Sequence, residues 1–293
     1  MRLARAGLVL LLAAVVTSCA SPEPSGHARP TGAAASRDAT AGPPRITLPL
    51  DPYQVSDEDF GTVSRALTEL TDRCMRRQGL AYEAPAPQDT TTTGPTGHER
   101  RYGITVLKTA RTHGYHLAGA PARERPKEPK RSKAYERALT GTGKPLDDGA
   151  FDDGCTGEAH RELEAGIDME AVDLPQWYKR DSFQRSLEDP RVKAAFAAWS
   201  RCMAEAGHRY ATPLDPPADP EVMGRTVTDH ERSVAVADIT CKTRTGLVDA
   251  WQRVETTLQR STVTTRAAQL KKAGAEAERL IARAAKILAA DRG

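Results

Sequence analysis

The sequence predicts a mainly α-helical protein made of two duplicated helical units, each pinned by a disulfide, and a long C-terminal helix. Three observations favour this fold. The pattern R-C-M-x3-G-x2-Y-x2-P occurs at residues 73–85 and again at 201–213, which indicates an internal duplication. Apolar residues recur at the three- and four-residue spacing of a helix face. Four cysteines follow residue 45, an even number that allows complete pairing.

The first unit is predicted over residues 46–172. Its prolines make residues 46–53 an extended strap, which is expected to pack across this unit. Ser56 is a candidate N-cap with Asp59 three residues later, and apolar spacing then runs through Cys74. The first helix is therefore predicted over 57–78, with Gly79 supplying the left-handed turn that ends it.

The remainder of the first unit alternates between loops and short structured segments. Glycine, proline, threonine and charged residues predict loops at 88–97, 121–133 and 141–154. Apolar spacing predicts structured segments at 101–116, 132–139 and 155–169.

The second unit is predicted over residues 173–260 and opens with a polar linker, 173–189, that carries Trp177, Tyr178 and Phe183. Asp189 and Pro190 form a helix start, and the helix that follows is the second copy of the first one. Thr228 and Glu231 form a capping box for a further helix that has Cys241 on its inner face.

The C-terminal helix is predicted over residues 261–293. Helical spacing runs on from about 229, but the β-branched residues at 262–265 weaken it, so a bend or break is expected near 261–266. One face of the last helix is basic and is expected to be solvated, with an anionic lipid or polymer as the alternative partner. Its cations are Lys271, Lys272, Arg279, Arg283 and Lys286.

The cysteines after the N-terminal segment are Cys74, Cys155, Cys202 and Cys241, and they are expected to form disulfides. The duplication favours one bridge within each repeat, Cys74–Cys155 and Cys202–Cys241. The alternative, Cys74–Cys202 with Cys155–Cys241, would tie the repeats together. A zinc site is disfavoured because the chain has no C-x-x-C spacing.

The N-terminus has the pattern of a bacterial lipoprotein signal. Arg2 and Arg5 precede an apolar run at 7–16, which is too short to span a bilayer. The order Val-Thr-Ser-Cys follows, so residues 1–18 are predicted to be a signal peptide and Cys19 the lipidated first residue of the mature chain. The alternative is an ordinary signal peptide in which this cysteine has no role.

Residues 19–45 are predicted to be a disordered tether with a root-mean-square span of about 28 Å. The formal net charge is +3, of which the two arginines of the signal segment account for 2. A nearly neutral mature chain argues against nucleic acid as a partner, because that binding needs a basic surface.

Several segments together resemble uncharacterised secreted lipoproteins of high-GC Gram-positive bacteria, over most of residues 46–250. The segments are 48–53, 74–79, 102–104, 154–155, 189–192 and 199–203. The resemblance implies an address in the cell envelope and a partner in envelope transport or the cell wall. It implies no catalytic residues.

Candidate chemical groups are few. The spacing of His113 and His116 is common and no acidic third ligand accompanies them, so they are expected to be solvated or packed. His160, Glu162 and Glu164 would not all point at one ion from a helix, so His160 is expected at the surface. The aspartate pairs at 147–148 and 152–153 lack the order of a calcium loop and favour a turn with a helix cap. No nucleophile elbow, phosphate loop or H-E-x-x-H motif is present in the sequence.

The tryptophans raise a further possibility, because aromatic side chains can stack on the sugars of a wall polymer. Trp199 lies on a predicted buried helix face and is expected to pack in the core. Trp177 and Tyr178 are ambiguous between packing and sugar stacking. The sequence thus predicts no catalytic residue, no cofactor and no metal ligand.

The expected function is that of a lipid-anchored lipoprotein on the extracytoplasmic face of the cell membrane. It would act as a non-catalytic binding or accessory module, with the membrane and an envelope protein or wall polymer as partners. The alternatives are an envelope hydrolase and a structural spacer without a ligand. A hydrolase needs a cleft with converging polar groups, whereas a binding module needs an exposed apolar or aromatic surface.

Overall fold

A computed structural model describes residues 46–84, 98–117, 131–141 and 153–290. These residues form nine α-helices and no strand, which confirms the mainly α fold. The helices are α1 Asp57–Arg77, α2 Leu107–His113, α3 Lys133–Thr140, α4 Gly154–Glu164, α5 Met169–Glu188, α6 Pro190–Glu205, α7 Asp229–Thr245, α8 Leu247–Thr265 and α9 Ala267–Ala290. Short 3-10 helices lie at Asp51–Tyr53 and Pro216–Ala218. The predicted signal peptide, Cys19, the tether and most of the predicted loops lie outside the described residues.

The two copies of the repeated motif end α1 and α6 in the same way. Gly79 has φ 73° and Gly207 has φ 89°, both in the left-handed region. The next residue after each glycine donates its N–H to the carbonyl of the motif's methionine, at 3.0 Å in the first copy and 2.9 Å in the second. This pairing is a Schellman turn, which satisfies carbonyls that the end of a helix leaves free. The motif is therefore a device that ends a helix.

The disulfides lie within the repeats, as the duplication favoured. Cys74 pairs with Cys155 and joins α1 to α4, with the Cα atoms 5.4 Å apart. Cys202 pairs with Cys241 and joins α6 to α7, with the Cα atoms 5.6 Å apart. All four side chains are buried, so each bridge belongs to a packed cluster.

The polar segment predicted to link the repeats at 173–189 is helical, because residues 173–188 belong to helix α5 and Asp189 follows its last residue. Asp168 caps the helix by accepting a hydrogen bond from the N–H of Ala171. The buried face of α5 includes Pro175, Ser182 and Ser186, which give it little apolar periodicity. The predicted helix at 155–169 correspondingly ends earlier, at Glu164, before the turn at Gly166.

The C-terminal region contains two breaks, of which one was predicted. The helix after α8 begins beyond Arg266, which confirms the break expected near 261–266. Gly246 makes the other break, between α7 and α8, in the left-handed conformation. The long final helix α9 packs on α1, α4, α5 and α8 and so lies across both predicted units.

The N-terminal strap does not pack across the first unit as predicted. Ile46 and Leu48 belong to the apolar cluster around Trp199 and Trp251, both of which lie in the second unit. The segment 98–117 behaves in the same way, with α2 packed on α7. The predicted boundary at 172/173 is therefore crossed by the main core, because two segments of the first unit supply apolar side chains that the second unit lacks.

Helices α1 and α4 of the first unit share a smaller core with α9. Leu70 of α1, Leu163 of α4 and Leu280 of α9 meet in one buried cluster. A third cluster surrounds the disulfide Cys74–Cys155. Together these clusters hold α1 and α4 against the C-terminal helix.

Candidate functional sites

Three fully buried carboxylates lie on the inner faces of α7 and α8: Glu231, Asp238 and Glu255. A buried carboxylate without partners is costly, so each must find donors inside the protein. Each accepts hydrogen bonds from the segment 98–117. This acidic network therefore fastens that segment to the second half of the chain.

Asp238 accepts three hydrogen bonds in the core. The donors are Trp199 Nε1 at 2.9 Å, the Tyr115 hydroxyl at 3.1 Å and Lys242 Nζ at 2.9 Å. Burial raises the pKa of Asp238, and the cation of Lys242 opposes that rise. Burial also lowers the pKa of Lys242 and raises that of Tyr115. Lys242 further donates to the carbonyl of Ile104 at 3.3 Å, so the ion pair holds the incoming segment.

Glu255 has a still fuller set of donors. Arg101 Nε lies 3.0 Å from each carboxylate oxygen, and the Tyr102 hydroxyl donates at 2.8 Å. Ser182 of α5 donates at 3.2 Å and Gln259 of α8 at 3.1 Å. Burial is the main cause that raises the pKa of Tyr102. The carboxylate joins the segment 98–117, α5 and α8 at one point.

Glu231 does not complete the capping box predicted with Thr228. Its N–H donates to Thr228 Oγ1 at 3.0 Å, but its side chain turns inward. There Glu231 Oε1 accepts from the Tyr115 N–H at 2.7 Å and lies 2.8 Å from His116 Nδ1. Glu231 Oε2 has no hydrogen-bond partner among the described residues. His113 does not join the pair in a metal-binding group.

His98 forms a further buried pair that sequence reasoning missed. Its Nε2 lies 2.6 Å from Asp51 Oδ1, and the other oxygen of Asp51 accepts from the Leu48 N–H at 2.7 Å. Burial lowers the pKa of His98 despite the nearby carboxylate. Lys179 Nζ lies 3.9 Å from Asp51 as well. The pair fixes the strap to residue 98.

The remaining histidines and aspartates do not converge. His160 Nδ1 lies 2.8 Å from Glu164 within α4, which agrees with its expected surface position. His208 and His230 lie with ring centroids 6.2 Å apart, and burial lowers the pKa of His208. Asp153 precedes α4, whereas the predicted aspartates at 147, 148 and 152 lie outside the described residues. Within the described ranges, no three His, Cys, Asp or Glu side chains form a group suited to a metal ion.

Four of the five cations of α9 are exposed, and three of the five bond to other groups of the protein. Arg283 donates to the carbonyls of Leu163 and Ala165, and Arg279 donates to that of Gly166 at 2.8 Å. Arg279 also pairs with Glu276 on its own helix, and Lys272 pairs with Asp168. Arg279 and Arg283 satisfy carbonyls at and just beyond the C-terminus of α4, where a positive charge is favoured. Lys272 and Arg279 are exposed, as expected of a solvated face, whereas Arg283 is half-buried against α4.

Two shallow clefts occur in the described part of the chain. One, of about 700 Å³, lies beside the disulfide Cys74–Cys155. Its charged lining consists of Lys133, Arg137, Arg161, Asp153 and Glu158, and Arg77 pairs with Glu158. The second, of about 350 Å³, adjoins Tyr210. Charges of both signs line the larger cleft, so it favours no single class of charged ligand.

The tryptophans separate into buried and exposed positions. Trp199 is fully buried and bonded to Asp238, as its helix face predicted. Trp177 is 50% exposed, and its ring packs edge-on against Tyr178 with the centroids 5.2 Å apart. Tyr178 is buried and donates its hydroxyl to Gln269 at 2.9 Å. The ambiguous pair thus splits, with Tyr178 in the core and Trp177 on the surface.

Comparisons with known proteins found no matching protein-family model, no matching curated protein and no matching solved structure. Among the described residues, no helix combines the length and apolar character needed to cross a bilayer.

Proposed function

We propose that the protein is a lipid-anchored lipoprotein of the extracytoplasmic membrane face, with a helical body that serves as a non-catalytic binding or accessory module. The observation that carries this proposal is the pair of buried disulfides in a chain whose N-terminus has the pattern of a lipoprotein signal. Disulfides of this kind persist in oxidising compartments outside the cytosol. The two disulfides use four of the five cysteines, and the fifth, Cys19, is the residue that would carry the acyl chains.

The arrangement of the buried acids also supports a binding module. Asp238 and Glu255 have several internal donors each, which hold elements of the fold together. The surface instead carries large exposed aromatic side chains, with Phe60 at 62% and Trp177 at 50% exposure. Exposed aromatic side chains are typical contact points for partners.

The anchor is tested by comparing the wild-type protein with the Cys19→Ser variant in membrane fractionation and intact-mass analysis. The wild-type protein should sediment with membranes and carry a diacylglyceryl group on an N-terminal Cys19. The variant should appear in the soluble fraction with both disulfides intact, which non-reducing peptide mapping checks. A wild-type protein with an unmodified Cys19 thiol would contradict the proposal.

The accessory role is tested by crosslinking in intact cells, followed by mass spectrometry of the captured envelope components. Wild-type protein should give a reproducible partner that is lost or depleted with Cys19→Ser, because the variant leaves the membrane surface. Reproducible absence of any partner would favour the spacer alternative.

A further inference from the structure

The solvent-exposed face of α5 around Trp177 has the features of a small binding site. Trp177 is the one tryptophan that is exposed, since Trp199 and Trp251 are both fully buried. An indole of this size left half in water forgoes much of the stabilisation that burial would give it. The exposed half of the indole is therefore accessible to an external ligand.

The Trp177 ring is held in place before any ligand arrives. Its edge-on contact with Tyr178 fixes one side, and Tyr178 is itself fixed by burial and by its bond to Gln269. Trp177 also lies in the third turn of a 20-residue helix, away from both of its ends. A preorganised side chain loses little conformational entropy on binding, so its contact area converts efficiently into affinity.

The neighbours of Trp177 on the helix surface are planar polar side chains. Residues three, four and seven positions away share its face of α5. They include Asp173, Arg180, Asp181 and Gln184, all of which are exposed except Asp181, which is half-buried. Asp181 also pairs with Arg185 at 3.3 Å. An aromatic face is thus flanked by groups that can donate and accept hydrogen bonds.

A sugar ring matches this combination. One face of a pyranose presents C–H groups, which suit the negative face of an indole, and its rim presents hydroxyls that pair with guanidinium, amide and carboxylate groups. A protein partner fits less well, because a stable interface buries about 800 Å² on each side around an apolar centre. Among the described residues of α5, Trp177 is the one large apolar side chain that is exposed.

We propose that this face of α5 binds a sugar ring in the glycan strand of the cell wall, with Trp177 as the stacking platform. The proposal rests on the proposed extracytoplasmic location, where the chain would meet the wall. Arg180 and Gln184 hydrogen-bond the hydroxyls of the stacked ring or of its neighbour and set the direction of the strand.

The test is co-sedimentation of the purified mature chain with peptidoglycan sacculi stripped of teichoic polymers. The chain carries Cys19→Ser, which keeps every described residue and removes any contribution from lipid. Trp177→Ala should weaken binding at least about tenfold, as expected for a central aromatic contact. Trp177→Phe should retain part of the affinity, and Leu214→Ala is the control at an exposed apolar side chain outside α5 and should bind normally. Sacculi that fail to sediment the parent chain, or that sediment Trp177→Ala equally well, would overturn the proposal.

Fluorescence quenching places the contact at Trp177. Because the other two tryptophans are fully buried, acrylamide reaches Trp177 selectively. Soluble glycan strands released from the sacculi should protect the parent chain from quenching and leave the quenching of Trp177→Phe unchanged. Binding that appears with teichoic-bearing walls alone and disappears at high salt would assign the interaction to charge and refute stacking.

Failure of the glycan-binding proposal can be distinguished from failure of the proposed membrane anchor. Sedimentation with sacculi does not depend on the lipid, and membrane fractionation of the wild-type protein does not depend on Trp177.

Discussion

The buried ion pair between Lys242 and Asp238 predicts a large loss of stability when one partner is removed. Lys242 is 3% exposed and Asp238 is fully buried, with 2.9 Å between Nζ and Oδ2. Lys242→Met keeps most of the side-chain length and removes the charge. The carboxylate then retains only its bonds from Trp199 and Tyr115. Breaking a buried pair in this way costs about 3–5 kcal/mol, so the free energy of unfolding should fall by that amount.

The loss should also depend on pH in a defined direction. Burial already raises the pKa of Asp238, and removing the cation of Lys242 raises it further. In the pH range between the unfolded pKa, about 3.9, and the folded pKa, the folded state binds more protons than the unfolded state. The stability of the variant should therefore recover as the pH is lowered into that window, because protonation removes the unpaired charge.

Urea unfolding followed by circular dichroism measures both effects. The control is Lys193→Met, which removes an exposed lysine paired with Glu188 at 2.6 Å and should cost no more than about 1 kcal/mol. An unchanged slope with urea would show that the same surface is exposed on unfolding. If Lys242→Met cost as little as the control at pH 7, the pair would not be ionic in the folded protein and the reasoning would fail.

Three further outcomes are expected. Replacing Cys74 and Cys155 by serine opens a loop with a sequence separation of 81, which on the chain-entropy model lowers the free energy of unfolding by about 4.5 kcal/mol. Urea unfolding without a reducing agent measures this change. A loss below about 1 kcal/mol would contradict the prediction. Burial lowers the pKa of His98, so the folded state favours the neutral imidazole. The contribution of this group to the free energy of unfolding should be fully present above about pH 6.5 and should be lost as the pH falls toward the folded pKa. His98→Gln should flatten that part of a stability-versus-pH curve, and an unchanged slope would assign the titration to another group. The Cβ of Gly79→Ala would meet no atom within 4 Å, so this substitution should cost only the strain of the left-handed conformation, about 1–2 kcal/mol. At Gly114 a Cβ would overlap a buried carboxylate of α7, so Gly114→Ala should lower the stability measured by thermal unfolding by more. Equal losses would refute the close approach at Gly114.

Helix ends were predictable because their signals are local. Ser56 and Asp189 each accept a hydrogen bond from a first-turn N–H, as their positions in the sequence predicted. The glycines at 79 and 207 adopt positive φ for the same reason in both copies of the repeat. Each signal depends on residues within one or two turns, so no knowledge of tertiary packing was needed.

Buried polar faces were not predictable from apolar periodicity. Ser182 and Ser186 make the inner face of α5 look like a solvated linker, yet Ser186 Oγ accepts from Trp251 Nε1 at 2.7 Å. Asp238 and Glu255 likewise interrupt the apolar stripes of α7 and α8. Apolar periodicity predicts that such polar side chains are exposed. They can be buried because their hydrogen-bond donors come from segments distant in the chain, which the local sequence does not reveal.

The candidate surface site was predictable only in part. The sequence singled out Trp177 and Tyr178 together, and nothing in their order distinguished the exposed ring from the buried one. Their separation follows from the helical register of α5, in which Tyr178 shares the face of Pro175 and Ser182 while Trp177 points about a third of a turn away. The polar inner face of α5 hid that register. For this one reason, the sequence did not reveal the helix at 173–188 and did not distinguish the exposed Trp177 from the buried Tyr178.

The acidic network also changes what the duplication means for the architecture. The two repeats share a helix-ending turn and an internal disulfide, which on their own describe two independent units. However, the donors for Asp238 and Glu255 include Tyr115, Arg101 and Tyr102, all from the first half of the chain. These donors compensate the burial of the two carboxylates, which would otherwise cost several kcal/mol for each charge. The duplicated halves are therefore joined by polar bonds that neither half can satisfy alone, and the chain from the strap to α9 is stabilised as one body.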